Sequence, residues 1–287
     1  MKILITGANG MLAKSVRSRL ERENELICTD VSELDITKQE EVLKFVEDVQ
    51  PDYIINCAAY TAVDKAEIAG EIVEKINADG PGNLAKAAQN TNSVLIHIST
   101  DYVFGGDLDL EKDYKEDDKK NPVTAYGITK LHGEEQIQNN TDKYYIFRTA
   151  WLYGEGNNFV RTMLKLGKEK DEINVVADQH GSPTYAEDLA NIIGEAIEKK
   201  IPYGIYHATN EGYTTWYDFT KAIFEYSGTI CKVNPVTTEK YIEMMKITQA
   251  KRPKNSQLSK EKIIKQGITV PQWEDALKRY LIAEKQM

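Results

Sequence analysis

Cysteine is scarce. Cys28, Cys57 and Cys231 make an odd number without CxxC spacing, which excludes a disulfide framework or a thiolate metal knuckle and fits a reducing cytoplasm. The 4 histidines stand far apart and give no metal-ligand spacing. Long apolar runs are missing too; none approaches the roughly 20 residues that cross a bilayer. Met1 to Thr6 is a short strand-like stretch followed at once by glycines, so no signal peptide is expected. Positive charge is in short supply: 36 Lys and Arg against 45 Asp and Glu leave a net charge of −9. That balance opposes the broad basic surface required by nucleic acids and anionic membranes, and leaves room only for a local basic pocket holding a small anion. There is no internal repeat and no linker. What is present, 41% hydrophobic residues over 287 positions, can bury one large core or two unequal ones.

Short apolar stretches at Lys2 to Thr6, Leu26 to Thr29, Tyr53 to Cys57, Val94 to Ser99 and Tyr144 to Arg148 read as strands. Between them, Met11 to Glu21, Lys38 to Val49, Asn77 to Gln89 and Thr124 to Gln138 carry apolar residues at helical spacing. The alternation predicts a parallel α/β sheet with helices on both faces. After about Trp151 the rhythm loosens and aromatics accumulate (Trp216, Tyr217, Phe219, Phe224, Tyr226), which predicts a smaller second lobe. Ala186 to Lys199 still reads as a helix on the sheet and Gly204 to Ala208 as a strand, so the lobes are expected to interleave. The first takes 1–150 and about 173–209; the second takes about 151–172 and 210–287. Asp107 to Lys120 is dense in charge and is expected to be a solvated loop; its alternating acids do not make a calcium loop, because Lys112 stands where the turn glycine is required.

Thr6-Gly7-Ala8-Asn9-Gly10-Met11-Leu12-Ala13 follows the first strand and opens the first helix. A dinucleotide diphosphate needs this arrangement, in which glycines allow a tight turn and close approach while the helix amino terminus offers free N–H groups. The fold class is therefore α/β, a Rossmann-type doubly wound parallel sheet with a smaller, interleaved α/β substrate lobe. Asp30, 20 residues beyond Gly10, ends the second strand, where a carboxylate accepts from adenosine ribose hydroxyls. It argues for NADH over NADPH, although a nearby basic residue would admit a 2′-phosphate. Asp35 and Ile36 would flank the adenine.

Tyr126-Gly-Ile-Thr-Lys130 puts a phenol and an ammonium one helical turn apart. A ketone taking up hydride develops negative charge on oxygen and needs a proton donor against it. Tyrosine's ordinary pKa of about 10 is high for that task, and a neighbouring Lys130 ammonium would lower it. Ser99-Thr100-Asp101-Tyr102 closes the preceding strand at the ligand-binding edge of such sheets. Thr100 is the chosen third member, with Ser99 and Asp101 as alternatives.

Gly7-x-x-Gly10, Ser99-Thr100 and Tyr126-x-x-x-Lys130 together resemble the extended short-chain dehydrogenase/reductases. Narrower stretches, Asn56 to Glu67, Ser99 to Phe104, Arg148 to Gly154, Asp178 to Thr184 and Lys251 to Ser256, resemble the dTDP-4-dehydrorhamnose reductase family from the first strand to about Leu258. The resemblance implies NADPH or NADH as cofactor and reduction of a nucleotide-linked sugar at its C4 ketone, with Thr100, Tyr126 and Lys130 as catalytic set. It also implies that Gly7, Asn9, Gly10, Met11, Leu12, Asp30, Asp35, Ile36, Ala58, Ala59 and Tyr60 line the cofactor, together with Tyr126 and Lys130. Thr61, Val63, Thr100, Asp101, Tyr102, Trp151 and Arg252 would border the sugar nucleotide. Arg148 ends a strand, and either a phosphate contact or an internal ion pair suits it. Some members of the family are described as dimers joined through a metal held by acids, one of them early in the first helix. That helix here reads Met11-Leu-Ala-Lys-Ser-Val-Arg, without an acid, so no metal is expected and the chain is expected to be a monomer or weak homodimer. The competing expectations are another nucleotide-sugar reductase or epimerase, and a non-catalytic regulatory subunit.

Overall fold

Lys2–Thr6 forms β1, whose residues from Ile3 onward are closed to solvent on both faces, as an inner strand of a helix-covered parallel sheet must be. Around it the computed structural model, which describes residues 1–246 and 248–285, builds the larger lobe. In chain order come α1 (Met11–Leu20), β2 (Glu25–Thr29), α2 (Gln39–Val49), β3 (Tyr53–Asn56), α3 (Val63–Ala69) and α4 (Glu71–Glu74). A π-turn at Lys75–Asp79 leads into α5 (Gly80–Thr91), followed by β4 (Val94–Thr100), α6 (Ala125–Asn140) and β5 (Tyr144–Thr149).

Beyond β5 the elements shorten: β6 (Leu152–Tyr153), α7 (Phe159–Glu169), β7 (Glu172–Val176), β8 (His180–Gly181) and β9 (Thr184–Tyr185). Then α8 (Ala186–Lys199) and β10 (Gly204–His207) rejoin the larger lobe, before β11 (Thr214–Thr215), α9 (Trp216–Ser227), β12 (Lys232–Val236), α10 (Thr238–Met245), β13 (Asn255–Ser256), α11 (Glu261–Lys265) and α12 (Trp273–Glu284).

The large sheet is parallel throughout, in the order β10-β5-β4-β3-β1-β2. Strand order reverses at β1, so a crevice opens at the carboxyl ends of β1 and β3, where ligands of doubly wound sheets bind. Side-chain alternation divides the core: Ile3, Ile5, Ile55 and Ile96 meet α1 and α8 on one face. On the other, Leu4, Ile54, Leu95 and Ile146 meet α2, α5 and α6. Each such aliphatic side chain contributes about 1.5–3 kcal/mol by leaving water.

The smaller lobe has its own core, in which Phe219, Ile223 and Phe224 of α9 pack with Met163, Ile173, Val175, Trp273 and Leu277. Here the structure departs from the expected boundaries. Glu172–Val176 pairs with β12 and not with the large sheet, so residues 172–185 fall in the smaller lobe and the return begins at α8. There is also one crossing more than expected, because Ile263 of α11 and Ile268 pack into the large core. The alternating pattern of β7 identifies a half-buried strand but not its partner, and α11, only 5 residues long, is too short to carry a packing signature.

The charged loop after β4 is not merely solvated. Its Tyr114 is buried and stacked on Phe104 at 4.3 Å, and Asn255 Nδ2 donates to the carbonyls of Asp109 and Lys112.

Candidate active site

The glycine turn is built for backbone approach. Gly7 has φ +65°, and a Cβ there would sit 2.7 Å from the Ala58 backbone, so β1 and β3 come together only because this residue has no side chain. Gly10 closes the turn by donating to the Gly7 carbonyl at 2.9 Å and then precedes α1, whose first turn carries no acid and whose amino terminus is therefore open to an anion. Gly7, Gly10, Asp30, Asp35, Ile36, Ala58 and Ala59 line one cleft of about 420 Å³. Asp30 accepts from the amides of Asn9 (3.1 Å) and Val31 (2.8 Å), and Asp35 accepts from Thr37, whose hydroxyl holds its carboxyl below the usual range. Val31, Leu34, Ile72 and Ile76 complete this wall and were not anticipated; they carry no motif, only apolar surface. Asn9 and Tyr60 are not among its lining residues. The Asn9 amide is committed to Asp30, and the Tyr60 backbone is clamped to Asn77 in both directions.

A second cleft of about 530 Å³ shares Gly10, Cys57 and Ala59 with the first, and gathers Met11, Leu12, Thr61, Val63, Thr100, Asp101, Tyr102, Tyr126, Lys130 and Trp151. Tyr126 is delivered there by the start of α6. Thr124 caps the helix by accepting from Gly127 N at 3.0 Å, and a Cβ on Gly127 would collide with the Tyr102 carbonyl, so α6 lies directly on the end of β4. The Tyr102 and Tyr126 rings meet edge to face at 5.5 Å.

Three candidate hydroxyl or carboxyl partners end β4, and their contacts differ. Ser99 Oγ donates to Glu134 Oε1 at 2.5 Å and is occupied inside the protein. Thr100 Oγ1 donates to Asp101 Oδ1 at 2.9 Å and accepts from the Tyr102 amide at 3.2 Å. Asp101 is buried with Oδ2 unpartnered, and burial pushes its carboxyl up to about 6. Burial also pushes the Tyr126 phenol up, with the Thr100 hydroxyl as the only group pulling it down. This differs from the expectation that Lys130 would lower it. The Lys130 Nζ instead donates to the Ile98 carbonyl at 2.7 Å and meets His97 Nε2 at 3.0 Å, and burial draws the amine down to about 8 against the opposing Glu134 carboxylate.

A third cleft of about 410 Å³ shares Tyr102, Trp151 and Trp216 with the second, so the three form one trough between the lobes. Trp151 takes φ +49°, an outlying conformation for a bulky residue, and stacks on Trp216 at 3.7 Å; Gly181 lies beneath its ring, where a Cβ would come within 2.9 Å. Arg252 stands at the rim, its Nη2 on Asp64 Oδ2 at 2.7 Å and its Nη1 donating to Tyr102 Oη at 3.1 Å. Phe159, Met163, Val175, Gln179 and Trp216 line this end and were missed as site residues. Phe159 and Trp216 carry only the signal of aromatics in a late segment, which is indistinguishable from that of a core, and Met163, Val175 and Gln179 carry no signal of their own.

Arg148 is an internal ion pair. It is fully buried against Glu134, and its Nη1 donates to the Glu116 carbonyl at 3.0 Å. Asp188, at the start of α8, is engaged inside the protein, accepting from Asn210 at 2.7 Å and from Arg279 at 2.7 Å. Among the described residues no three His, Cys, Asp or Glu gather closely enough to hold an ion.

The family model described as RmlD substrate binding domain matches residues 1–286. The chain belongs to this family. Among its curated members the chain is 42% identical to dTDP-4-dehydrorhamnose reductase of Aggregatibacter actinomycetemcomitans, with 96% of this chain and 97% of the relative covered. A crystal structure of a dTDP-4-dehydrorhamnose reductase from Clostridium acetobutylicum superposes with a TM-score of 0.94 at 46% identity, covering all of both chains. Another from Bacillus anthracis, in complex with NADP, gives 0.92 at 42% identity, with 98% of this chain and 99% of that one covered. RmlD-family membership thus extends over both lobes of the trough and not over the dinucleotide lobe alone.

Proposed function

We propose that the protein reduces the C4 ketone of dTDP-4-dehydro-L-rhamnose to dTDP-L-rhamnose with NADPH or NADH. The observation that carries this reading is the convergence of Thr100, Tyr126 and Lys130 in a cleft that continues into the glycine-turn cleft on one side and into the tryptophan-walled cleft on the other. A bound NAD(P)H supplies hydride to the sugar carbon. Gly7, Gly10 and the α1 amino terminus would hold its diphosphate, and Asp30 its ribose. Tyr126 hands its phenolic proton to the new alkoxide, Thr100 orients the oxygen, and Lys130 holds the cofactor ribose. Arg252 faces the diphosphate of the sugar nucleotide, and Thr61, Val63, Asp101, Tyr102 and Trp151 border the sugar.

The net charge of −9, the three free cysteines and the engagement of Asp188 support a cytoplasmic enzyme that needs no nucleic acid and works as a monomer or weak homodimer. No described helix is long and apolar enough to cross a membrane. The test is to incubate the protein with dTDP-4-dehydrorhamnose and NADPH or NADH. Loss of the nicotinamide absorbance with formation of dTDP-rhamnose is expected, and no loss with either cofactor overturns the proposal.

A further inference from the structure

A row of polar side chains crosses the buried middle of the sheet. Thr6, Asn56 and His97 are direct neighbours in the ladder, on β1, β3 and β4, and all are closed to solvent, as is Lys130 of α6 beyond them. Inner strands of such a sheet ordinarily put apolar residues at these positions, and each buried polar group must find a partner to avoid a desolvation cost. The partners here form one line. Thr6 Oγ1 donates to Asn56 Oδ1 at 2.7 Å, Asn56 Nδ2 meets His97 Nδ1 at 3.0 Å, and His97 Nε2 meets Lys130 Nζ at 3.0 Å.

The direction of that line is set at one point. The Ala58 backbone N–H also donates to Asn56 Oδ1, at 3.1 Å, and a backbone N–H cannot exchange roles. The Asn56 oxygen is therefore fixed towards Ala58 and Thr6, and its NH₂ is fixed towards His97. An NH₂ donor facing Nδ1 requires a lone pair there, so the neutral imidazole carries its proton on Nε2. That N–H points at Nζ. An amine has a lone pair to receive it, whereas an ammonium has only donors and would oppose N–H with N–H.

We propose that Thr6, Asn56 and His97 act as a tautomer lock whose Nε2–H favours the amine form of Lys130, making His97 a positioning residue that sets where this lysine exchanges its proton. The proposal rests on the reading of Lys130 as a member of the reductase site. Only one N–H bond is made or broken at Nζ: the ammonium loses a proton to an acceptor in the cleft, and the amine left behind accepts from His97. Burial of the imidazole, which holds it neutral, and the lowered Lys130 amine agree with this arrangement. The other titratable groups around Nζ are few. α6 contributes Tyr126 and Glu134, the chain after β4 contributes Asp101 and Tyr102, and the end of β3 contributes Cys57. Of these, the Glu134 carboxylate acts in the opposite direction and favours the ammonium.

Two variants separate the lock from simple packing. His97→Gln offers Nζ a carbonyl oxygen in place of an N–H. Asn56→Asp offers His97 Nδ1 an acceptor, which moves the imidazole proton to Nδ1 and turns a lone pair towards Nζ; because its charge also favours an ammonium, this variant is read by the ring ¹⁵N shifts, and a proton that stays on Nε2 overturns the lock. The measurement is a pH titration by nuclear magnetic resonance of the full chain, labelled with ¹³C at lysine Cε and ¹⁵N in the histidine rings. Lys130 is assigned by its loss in Lys130→Arg. The wild type should show His97 protonated at Nε2 and a Lys130 midpoint near 8, as its burial implies. In either variant that folds, the midpoint should rise by about one pH unit or more, a tenfold change in proton affinity. A wild-type imidazole protonated at Nδ1, a wild-type lysine titrating with the surface lysines, or an unmoved midpoint in a folded variant overturns the lock. Because the titration needs no substrate, its outcome is independent of whether the sugar nucleotide is turned over.

Discussion

Arg148 and Glu134 meet through two parallel hydrogen bonds, Nε to Oε1 at 2.9 Å and Nη2 to Oε2 at 2.7 Å, with side-chain exposures of 0% and 1%. Glu134 also receives the Ser99 hydroxyl, so the pair ties α6 to the ends of β4 and β5. Glu134→Ala leaves a buried guanidinium without its counter-charge and should cost about 3–5 kcal/mol. Urea unfolding checks this; a loss below about 1 kcal/mol would mean that the guanidinium finds solvent.

Tyr126→Phe removes one hydroxyl and leaves the ring that packs against Tyr102. Turnover should fall by about 10²–10⁴-fold, the usual worth of a positioned proton donor, while the dissociation constants of NADPH and NADH stay nearly unchanged. Full activity in this variant would refute Tyr126 as the donor.

Gly7→Ala tests the cofactor cleft. The left-handed φ of +65° costs a side-chain-bearing residue about 1–2 kcal/mol, and the added carbon would press on the Ala58 backbone. Cofactor affinity should drop by about tenfold or more, read by nicotinamide fluorescence, and the thermal transition of the apoprotein should fall as well, because the clash is with backbone.

Asp101 makes stability depend on pH in an unusual direction. Its folded carboxyl is raised from an ordinary 3.8 to about 6, so the folded state binds the proton more tightly. The stabilisation is complete below pH 3.8 and is lost as pH rises through 6. The displacement corresponds to about 3 kcal/mol. Asp101→Asn keeps the neutral form at every pH and should gain on the wild type by about that amount between pH 4 and pH 7 in urea titrations. A constant difference across that range would show that Asp101 is ionised and solvated.

The parts of this molecule legible in its sequence are those whose parts lie within a turn or two of one another. Gly7 to Gly10 and Tyr126 to Lys130 each belong to one local element, and the strands of the large sheet announce themselves by short apolar runs. Trp216 is different. Its place beside Trp151 depends on the start of α9 meeting the end of β5 across the trough, a contact with no local signature. The pairing of β7 with β12 is hidden for the same reason. The surroundings of Lys130 were only half readable: spacing placed it beside Tyr126, but His97 reaches it through the ladder, and its effect on the amine is set by a hydrogen-bond direction that begins at the Ala58 backbone.

The chain crosses between the two lobes several times, leaving the large sheet after β5, returning for α8 and β10, and returning again for α11 before α12 closes the smaller core. Neither lobe is therefore a contiguous cassette. A graft that exchanged one stretch of sequence for that of a relative would replace half of a core and leave the other half facing unfamiliar partners. Changes of sugar preference are then accessible only residue by residue along the walls of the trough, with Trp216 and Gln179 on the smaller lobe altered while Trp151, at the end of the larger one, stays in place.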